Sequence, residues 1–485
     1  MKLGRLGSGT LLVASAIGIA GCWEVWNIEP LTNEGAGGTG AGGTGAGGTG
    51  AGGAGAGGAG AGGAGAGGGE SGPCKKAPDG IVDGPFQFLA TCDGMSAYRV
   101  SASSQGLALS AERAMPKESV VVTFDLDGTP RGWLRLPNVD KPVLSTYSMD
   151  DGATVRVALA GSFLTGNTTD VLGDQSPVCD AAVCSFITIL NEDLSVAVSP
   201  PQWVDPGGST GGFRIQGIDA QRIGYLNQHW LALTGGLRGS AQLFDASAPM
   251  QANGVTHPFF VAAKVDSDTP ASATQRLFDT TTNARALECA LSRTSAMPLR
   301  AFAVGDLPDD GVGAWFDVLT PTSAPVFEHA TPGEATDVTR ANAFGFLVED
   351  AGEVAVHVFT PPGPSPVKSY PPMQLPSARI TGHENDLYVG GGFSGTLTVD
   401  GTSRESKGLR DLILVHVDSN TDVMTPHVLG SDSADDAFIA DVDALANDTK
   451  RVYFVATFTG SMKIGGYTAN AAPEGSVLVG SFTLP

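Results

Sequence analysis

LYVGGGFSGTLTVDG occupies residues 387–401, and RDLILVHVDSN follows at 410–420. The first segment reads as a strand closed by a Gly-rich turn. The second reads as a continuous apolar strand that stops at an Asp-Ser-Asn turn, and a third strand runs on to Gly430. Variants of this unit recur through the chain. VALAGSF at 157–163, LALTGGL at 231–237 and AFAVGDL at 301–307 end a strand in the same Gly-x-Phe/Leu manner, and YFVATF at 453–458 is a worn copy. Most are followed by a second strand that ends in a polar turn, as SFITIL does before Asn-Glu-Asp at 191–193 and FFVAAKV before Asp-Ser-Asp at 266–268.

Two weaker copies, around Leu109 and at 344–359, complete a series with anchors near 109, 163, 237, 307, 349, 393 and 458, about 58 residues apart on average. No stretch of 10 or more residues carries apolar positions at helical spacing among good helix formers. A period of this size, in short strands without helices, predicts an all-β fold of the β-propeller type. About seven four-stranded blades are expected, within a range of six to eight; tandem β-sandwiches are the alternative. The unit resembles the loose blade repeats of bacterial secreted propellers, in which a V-x-G-x-F-x-G strand precedes a D-hydrophobic-V-x-x-D strand. The resemblance covers roughly residues 95–485 and lacks Trp-Asp or kelch signatures. The last copy, SVLVGSF at 476–482, leaves its blade one strand short, and FQFLA at 86–90 is placed to supply it.

The first 72 residues read differently. Lys2 and Arg5 precede an apolar run at 11–19 that is too short to span a bilayer but suits a signal peptide. It ends in Ile19-Ala20-Gly21-Cys22, which resembles a bacterial lipobox. That resemblance implies cleavage before Cys22, lipidation of its thiol and anchoring in a membrane; Trp23 in the next position favours the outer membrane by the Gram-negative sorting pattern. The expected organisation is a lipoprotein signal peptide at 1–21, a lipidated segment at 22–34, a Gly/Ala/Thr-rich disordered tether at 35–72 and a propeller domain at 73–485. Gly-Ala-Gly-Gly repeats bury no side chains and lose much entropy on ordering, so the 38-residue tether is a coil of about 35 Å, roughly 125 Å at full stretch.

The net charge of −22, with 28 Lys and Arg scattered along the chain, argues against nucleic acid as a partner. The expected partners are the membrane, through lipid on Cys22, and an unidentified protein or glycan, with the head a monomer. Of six Cys, Cys22 is assigned to lipid; Cys74–Cys92 and Cys179–Cys184 are candidate disulfides for an oxidising compartment, and Cys289 is left over. No C-x₂-C pairs or grouped His point to zinc, and no cofactor or catalytic residue is expected. FDLDGT at 124–129 resembles the first motif of the haloacid dehalogenase family, which would make Asp125 a nucleophile and Asp127 an acid/base, with the 305–310 segment as magnesium ligands. The strand-like PRGWLRL that follows, where that fold needs a helix, makes the motif a hairpin turn instead. GGSTG at 207–211 lacks the strand-to-helix setting of a nucleophile elbow. The matching His357 and His416 read as packing residues, and the acidic turns at Asp125/Asp127, Asp266/Asp268 and Asp432/Asp435/Asp436 read as solvated turns without EF-hand spacing.

The expected function is a non-catalytic binding or scaffolding head on a lipid anchor. The alternative is an envelope hydrolase or lyase working on polysaccharide or peptide in the propeller channel. Loops that differ between copies, at 164–184, 239–257 and 396–410, are where a ligand site is expected. Deleting residues 81–92 is expected to abolish soluble folding; a stable, monomeric deletion variant would count against ring closure by that segment.

Overall fold

The computed structural model describes residues 72–483, apart from segments at 150–153, 196, 224–227, 245, 247, 268, 292–298, 308–312, 319–325, 329–332, 340–343, 360–367, 384, 430–435 and 445–450. Cys22, the signal peptide and all of the tether except Gly72 lie outside the described residues. So do parts of the 305–310 and 430–436 acidic segments.

Every regular element described is a β-strand. Strand β1 (Met95–Ala102) starts an antiparallel sheet continued by Leu107–Arg113, Glu118–Phe124 and Pro130–Leu136. Strands β2 (Val139–Ser148) and β3 (Gly212–Ile223) start two further runs of this form. The first continues through Val155–Leu164, Val183–Asn191 and Ala197–Val204, the second through Gln228–Ala241, Met250–Ser267 and Thr269–Leu277. One parallel residue pair, Val183↔Gly212, fuses the two runs into an eight-stranded sheet. Three separate four-stranded sheets follow, headed by β4 (Arg285–Leu291), β5 (Glu334–Val338) and β6 (Arg379–His383).

The last sheet joins the two ends of the domain. Strand β7 (Ala437–Ala444) pairs with Arg451–Phe458, which pairs with Ser476–Thr483. The fourth place is taken by Phe86–Asp93 from the start of the domain, in antiparallel register from Phe86↔Phe482 to Asp93↔Ser476. This closing strand carries a further short strand, Cys74–Lys76, bonded to it by the Cys74–Cys92 disulfide. The fold is an all-β β-propeller.

The blade count departs from expectation. Five sheets stand alone as blades, headed by β1, β4, β5, β6 and β7, and the eight-stranded sheet makes up the rest, so about seven separate blades are not found. The repeat could not reveal the fusion, because it depends on where the 205–211 loop lets Gly212 meet Val183, not on the repeated residues.

The glycines of the opening stretch also sit differently from their reading as a turn. Gly390, Gly391 and Gly392 lie inside the strand Asp386–Phe393. A Cβ on Gly390 would come within 2.6 Å of Val442 Cγ1, and one on Gly392 within 2.6 Å of Phe438 Cβ. The glycines are there because the sheet headed by β7 packs directly on this strand. The next strand, Asp411–Asp418, supplies Leu412, Ile413, Leu414 and Val415, all fully buried. Its alternate side chains enter two different cores, Leu412 and Leu414 on one side and Ile413, Val415 and Val417 on the other. That is why the run is continuously apolar.

Both sequence-predicted disulfides are present, with Cα separations of 4.0 Å for Cys74–Cys92 and 5.8 Å for Cys179–Cys184. The first closes a loop of 18 residues that includes part of the closing strand. In the chain-entropy picture a loop of this length contributes about 3 kcal/mol. Replacing both Cys74 and Cys92 by Ser is therefore expected to lower the unfolding free energy by about that amount, read from denaturant midpoints. A midpoint identical to the wild type would show that the staple does not hold the closing strand.

Candidate functional site

The seven strands β1 to β7 share a position in their sheets, and their side chains meet. Six of them are irregular where they pair with the second strand of their run. The register jumps between Ala97 and Arg99, Asp140 and Val143, Ile215 and Gly217, Ala286 and Glu288, Ala335 and Asp337, and Ile439 and Asp441. A bulge adds a residue and re-aims the side chain that follows it. Here the re-aimed residues include Arg99, Glu288, Asp337 and Asp441.

Two residues further along, short polar side chains clasp one sheet to the next. Ser101 Oγ accepts the Thr146 N–H at 2.9 Å, Ser145 Oγ the Ala220 N–H at 2.9 Å, and Asp219 Oδ2 the Leu291 N–H at 2.8 Å. Thr381 Oγ1 accepts the Ala444 N–H at 3.0 Å, and Asp443 Oδ2 accepts the Ala102 N–H at 2.8 Å. The carboxylates after the bulges do likewise: Asp337 Oδ2 accepts from Ile380 N–H and Asp441 Oδ2 from Val100 N–H, both at 2.8 Å. These bonds link β1 to β2, β2 to β3, β3 to β4, β5 to β6, β6 to β7 and β7 back to β1. Their constant offset means that the strands run side by side in one direction around a hub. Each is the last strand of its run on the hub side, so the clasps supply backbone partners that no strand provides there.

Arg99 bridges the remaining step. Its guanidinium pairs with Glu288 of β4 and lies 3.9 Å from Asp337 of β5 and 3.8 Å from Asp441 of β7. Burial works against the charge of Arg99, but Glu288, Asp441 and Asp337 outweigh it and hold the guanidinium above its ordinary range. Burial pushes the Asp441 carboxyl up to about 7, against the pull of Arg99 and with the help of Asp337. Burial raises Glu288 in the same way, with Arg99 opposing. Arg99, with a smaller pull from Arg379, thus faces several buried carboxyls, and protonation relieves part of the excess. The cavity these groups line, together with Asp443 and Thr381, measures about 50 Å³. That admits water molecules and falls well short of the roughly 300 Å³ at which small-molecule sites begin. Among the described residues, no three His, Cys, Asp or Glu side chains are grouped so as to hold a metal ion.

The motifs singled out in the sequence lie away from the hub. Asp125 and Asp127 form the hairpin turn between Glu118–Phe124 and Pro130–Leu136, with Asp127 paired to Lys76 at 2.7 Å and Asp125 to Arg131. Gly207–Gly211 belong to a loop that leads into a strand, not a helix. His357 stacks on Phe346 and His416 on Tyr388, in each case an aromatic directly across the strand pair. Cys289, which belongs to neither disulfide, is buried next to Glu288 on β4. Sequence reading missed Arg99, Glu288, Asp337 and Asp441. The available signal was a charged residue inside an otherwise buried strand, as in Ala-Leu-Glu-Cys-Ala-Leu, where an unpaired charge would be prohibitive.

No protein-family model matches the chain, and no curated protein matches it in sequence. Among solved structures it is similar to the acylaminoacyl peptidase of Pyrococcus horikoshii, with a TM-score of 0.40 and 11% identity over 76% of this chain and 50% of that one. It is similar to the β-propeller domain of the Trilobed protease from Pyrococcus furiosus, with a TM-score of 0.40 and 8% identity over 78% of this chain and 95% of that one. A polysaccharide lyase, Uly1, is also similar, with a TM-score of 0.44 and 10% identity over 81% and 90%. The chain spans about half the length of the peptidase it matches. Likenesses this distant say nothing about chemistry, and the propeller assignment rests on strand order and hub clasps.

Two measurements test the hub. Arg99→Met leaves buried carboxyls without their cation and is expected to destabilise the fold by roughly 3–5 kcal/mol, read by chemical denaturation. Asp441 titrates near 3.8 when exposed and near 7 when folded, so the folded state holds its proton more tightly. Its contribution is fully present below about pH 4 and is lost as pH rises towards about 7. Asp441→Asn is expected to gain stability relative to wild type across that interval, and a constant difference between the two would refute the assignment.

Proposed function

We propose that the chain is a lipid-anchored cell-envelope protein whose propeller head is a non-catalytic binding or scaffolding module for a protein, peptide or glycan. The observation that carries this reading is the commitment of the hub. Asp337, Asp441, Asp443 and Asp219 accept backbone N–H groups of neighbouring sheets, and Glu288 is bound to Arg99, around a space of about 50 Å³. Groups engaged in holding sheets together, in a space too small for a sugar ring, suit a scaffold better than a reaction centre. We further read the eight-stranded sheet as two blades, headed by β2 and β3 and touching at a single residue pair, which gives a ring of seven.

Anchoring through Cys22 follows from the lipobox resemblance, and outer-membrane placement from Trp23. The two disulfides support an oxidising compartment for the head. A monomeric head is part of the same reading.

A second reading has one observation in its favour. The raised Asp441 and Glu288 carboxyls retain protons near neutral pH, as a general acid must. An envelope hydrolase or lyase would then work at the hub after the cavity widened.

Cys22→Ala is expected to move the protein from the detergent-soluble membrane fraction to the soluble fraction of the envelope; retention in the membrane would end the anchoring reading. Cross-linking and pull-down from intact cells should recover a partner with the wild type and lose it with a tethered, unfolded head. Turnover of an acidic or neutral polysaccharide or a peptide that disappears in Glu288→Gln would replace the binding reading with the enzymatic one.

A further inference from the structure

A hollow lies at the seam, beside the closing strand. Its one wall is the entry to the closing strand, Asp83 to Phe86, and its other wall is the edge strand Val423–Leu429 with the hairpin made by Thr396–Val399 and Thr402–Glu405. The volume is about 420 Å³, within the size range of small-ligand sites. The floor is apolar, built from the buried Phe86 and Pro426. The exposed Arg404 lines the same hollow and makes one hydrogen bond, from Nη1 to the Ser403 carbonyl at 3.3 Å. Among the described residues no carboxylate lies within ion-pair distance of it, in a chain with 50 acidic and 28 basic side chains. Lys407 lines the same space. Asp411, which faces it, is already engaged by the Lys407 and Gly408 N–H groups at 2.8 and 3.3 Å.

His427 forms part of the wall, with its ring 4.8 Å from that of Phe482. Burial, then the neighbouring His416 and Arg404, lowers its pKa and keeps it neutral, so it offers one donor and one acceptor. Asp83 and Glu405 stand at the same pocket and disfavour a polyanion. A planar guanidinium, an apolar surface and a neutral imidazole lining one pocket match a single anionic group attached to a compact polar body.

We propose that this seam pocket binds a small anionic ligand, a carboxylate or phosphate group carried on a sugar-sized ring, with Arg404 gripping the anion and Pro426 and Phe86 supporting the ring. The proposal deepens the binding-module reading. It also places the anion-gripping residue in the 396–410 segment, one of the three where the repeats differ. Because the pocket joins the entry of the closing strand to the sheet headed by β6, occupancy stabilises the closed ring.

The test titrates the full-length protein with glucuronate, glucose 6-phosphate and glucose, using saturation-transfer NMR and thermal unfolding. Saturable binding of glucuronate or glucose 6-phosphate with a rise in unfolding temperature is expected, and the stronger of the two identifies the anion. Arg404→Ala should weaken that binding roughly tenfold or more, and Arg404→Lys by less, while unfolding without ligand is unchanged. No saturable binding by any probe, equal binding of glucose, or wild-type affinity in Arg404→Ala would each overturn the site. A probe that binds through Arg404 but is chemically consumed would uphold the site and overturn the non-catalytic reading.

Discussion

The structure depends on how the hub-side strands satisfy their backbone. A strand at the end of a sheet carries N–H groups with no partner, and the strands β1 to β7 that open each run converge here. The chain solves this with side chains. Serine, threonine or aspartate at matching places accepts an N–H from the next sheet. Each bond is modest alone, but every one joins two sheets, and the set runs from β1 round to β7 and back except at the step from β4 to β5, which the Arg99 ion pairs bridge. Bulges are part of the same device. Without the added residue before Arg99, Glu288, Asp337 and Asp441, strand alternation would turn these side chains to the opposite face.

Electrostatics follow from that geometry. Several carboxyls crowd one buried guanidinium, and the surplus negative charge is met by tighter proton binding at Asp441 and Glu288. Charge is buried away from the hub too, at Glu118 and Asp411, but there Arg113 and Arg135 or backbone N–H groups meet it. Raised carboxyl pKa values are a mark of functional sites in general. Here their first physical cause is structural: they sit where sheets are joined. The seam pocket presents the opposite case, a guanidinium with no carboxylate partner among the described residues, in a chain rich in carboxylates.

Closure explains why the ends of the domain behave as one unit. The Phe86–Asp93 strand completes the sheet of the last repeat, and its neighbour Cys74 is bonded to it covalently. The first described strand, Cys74–Lys76, is thus fixed to the domain by a covalent link and a strand ladder and is not a fraying end.

The sequence by itself determined the strand repeat, the anchor positions, the missing last strand and its donor at 86–90, and both disulfide pairings. These follow from local properties: strand periodicity, turn residues and the spacing of cysteines. It also exposed FDLDGT as a hairpin turn, because the residues after it cannot form the required helix. Only the tertiary structure decided that the glycines at 390–392 lie within a strand, since their cause is the Val442 and Phe438 side chains of another sheet. It alone decided the fusion at Val183 and Gly212 and the meeting of Arg99 with Glu288, Asp337 and Asp441. Those residues are up to 342 positions apart, and each reached the hub through a bulge that shifts side-chain direction by one residue. A period-two reading of any single strand aims them the wrong way.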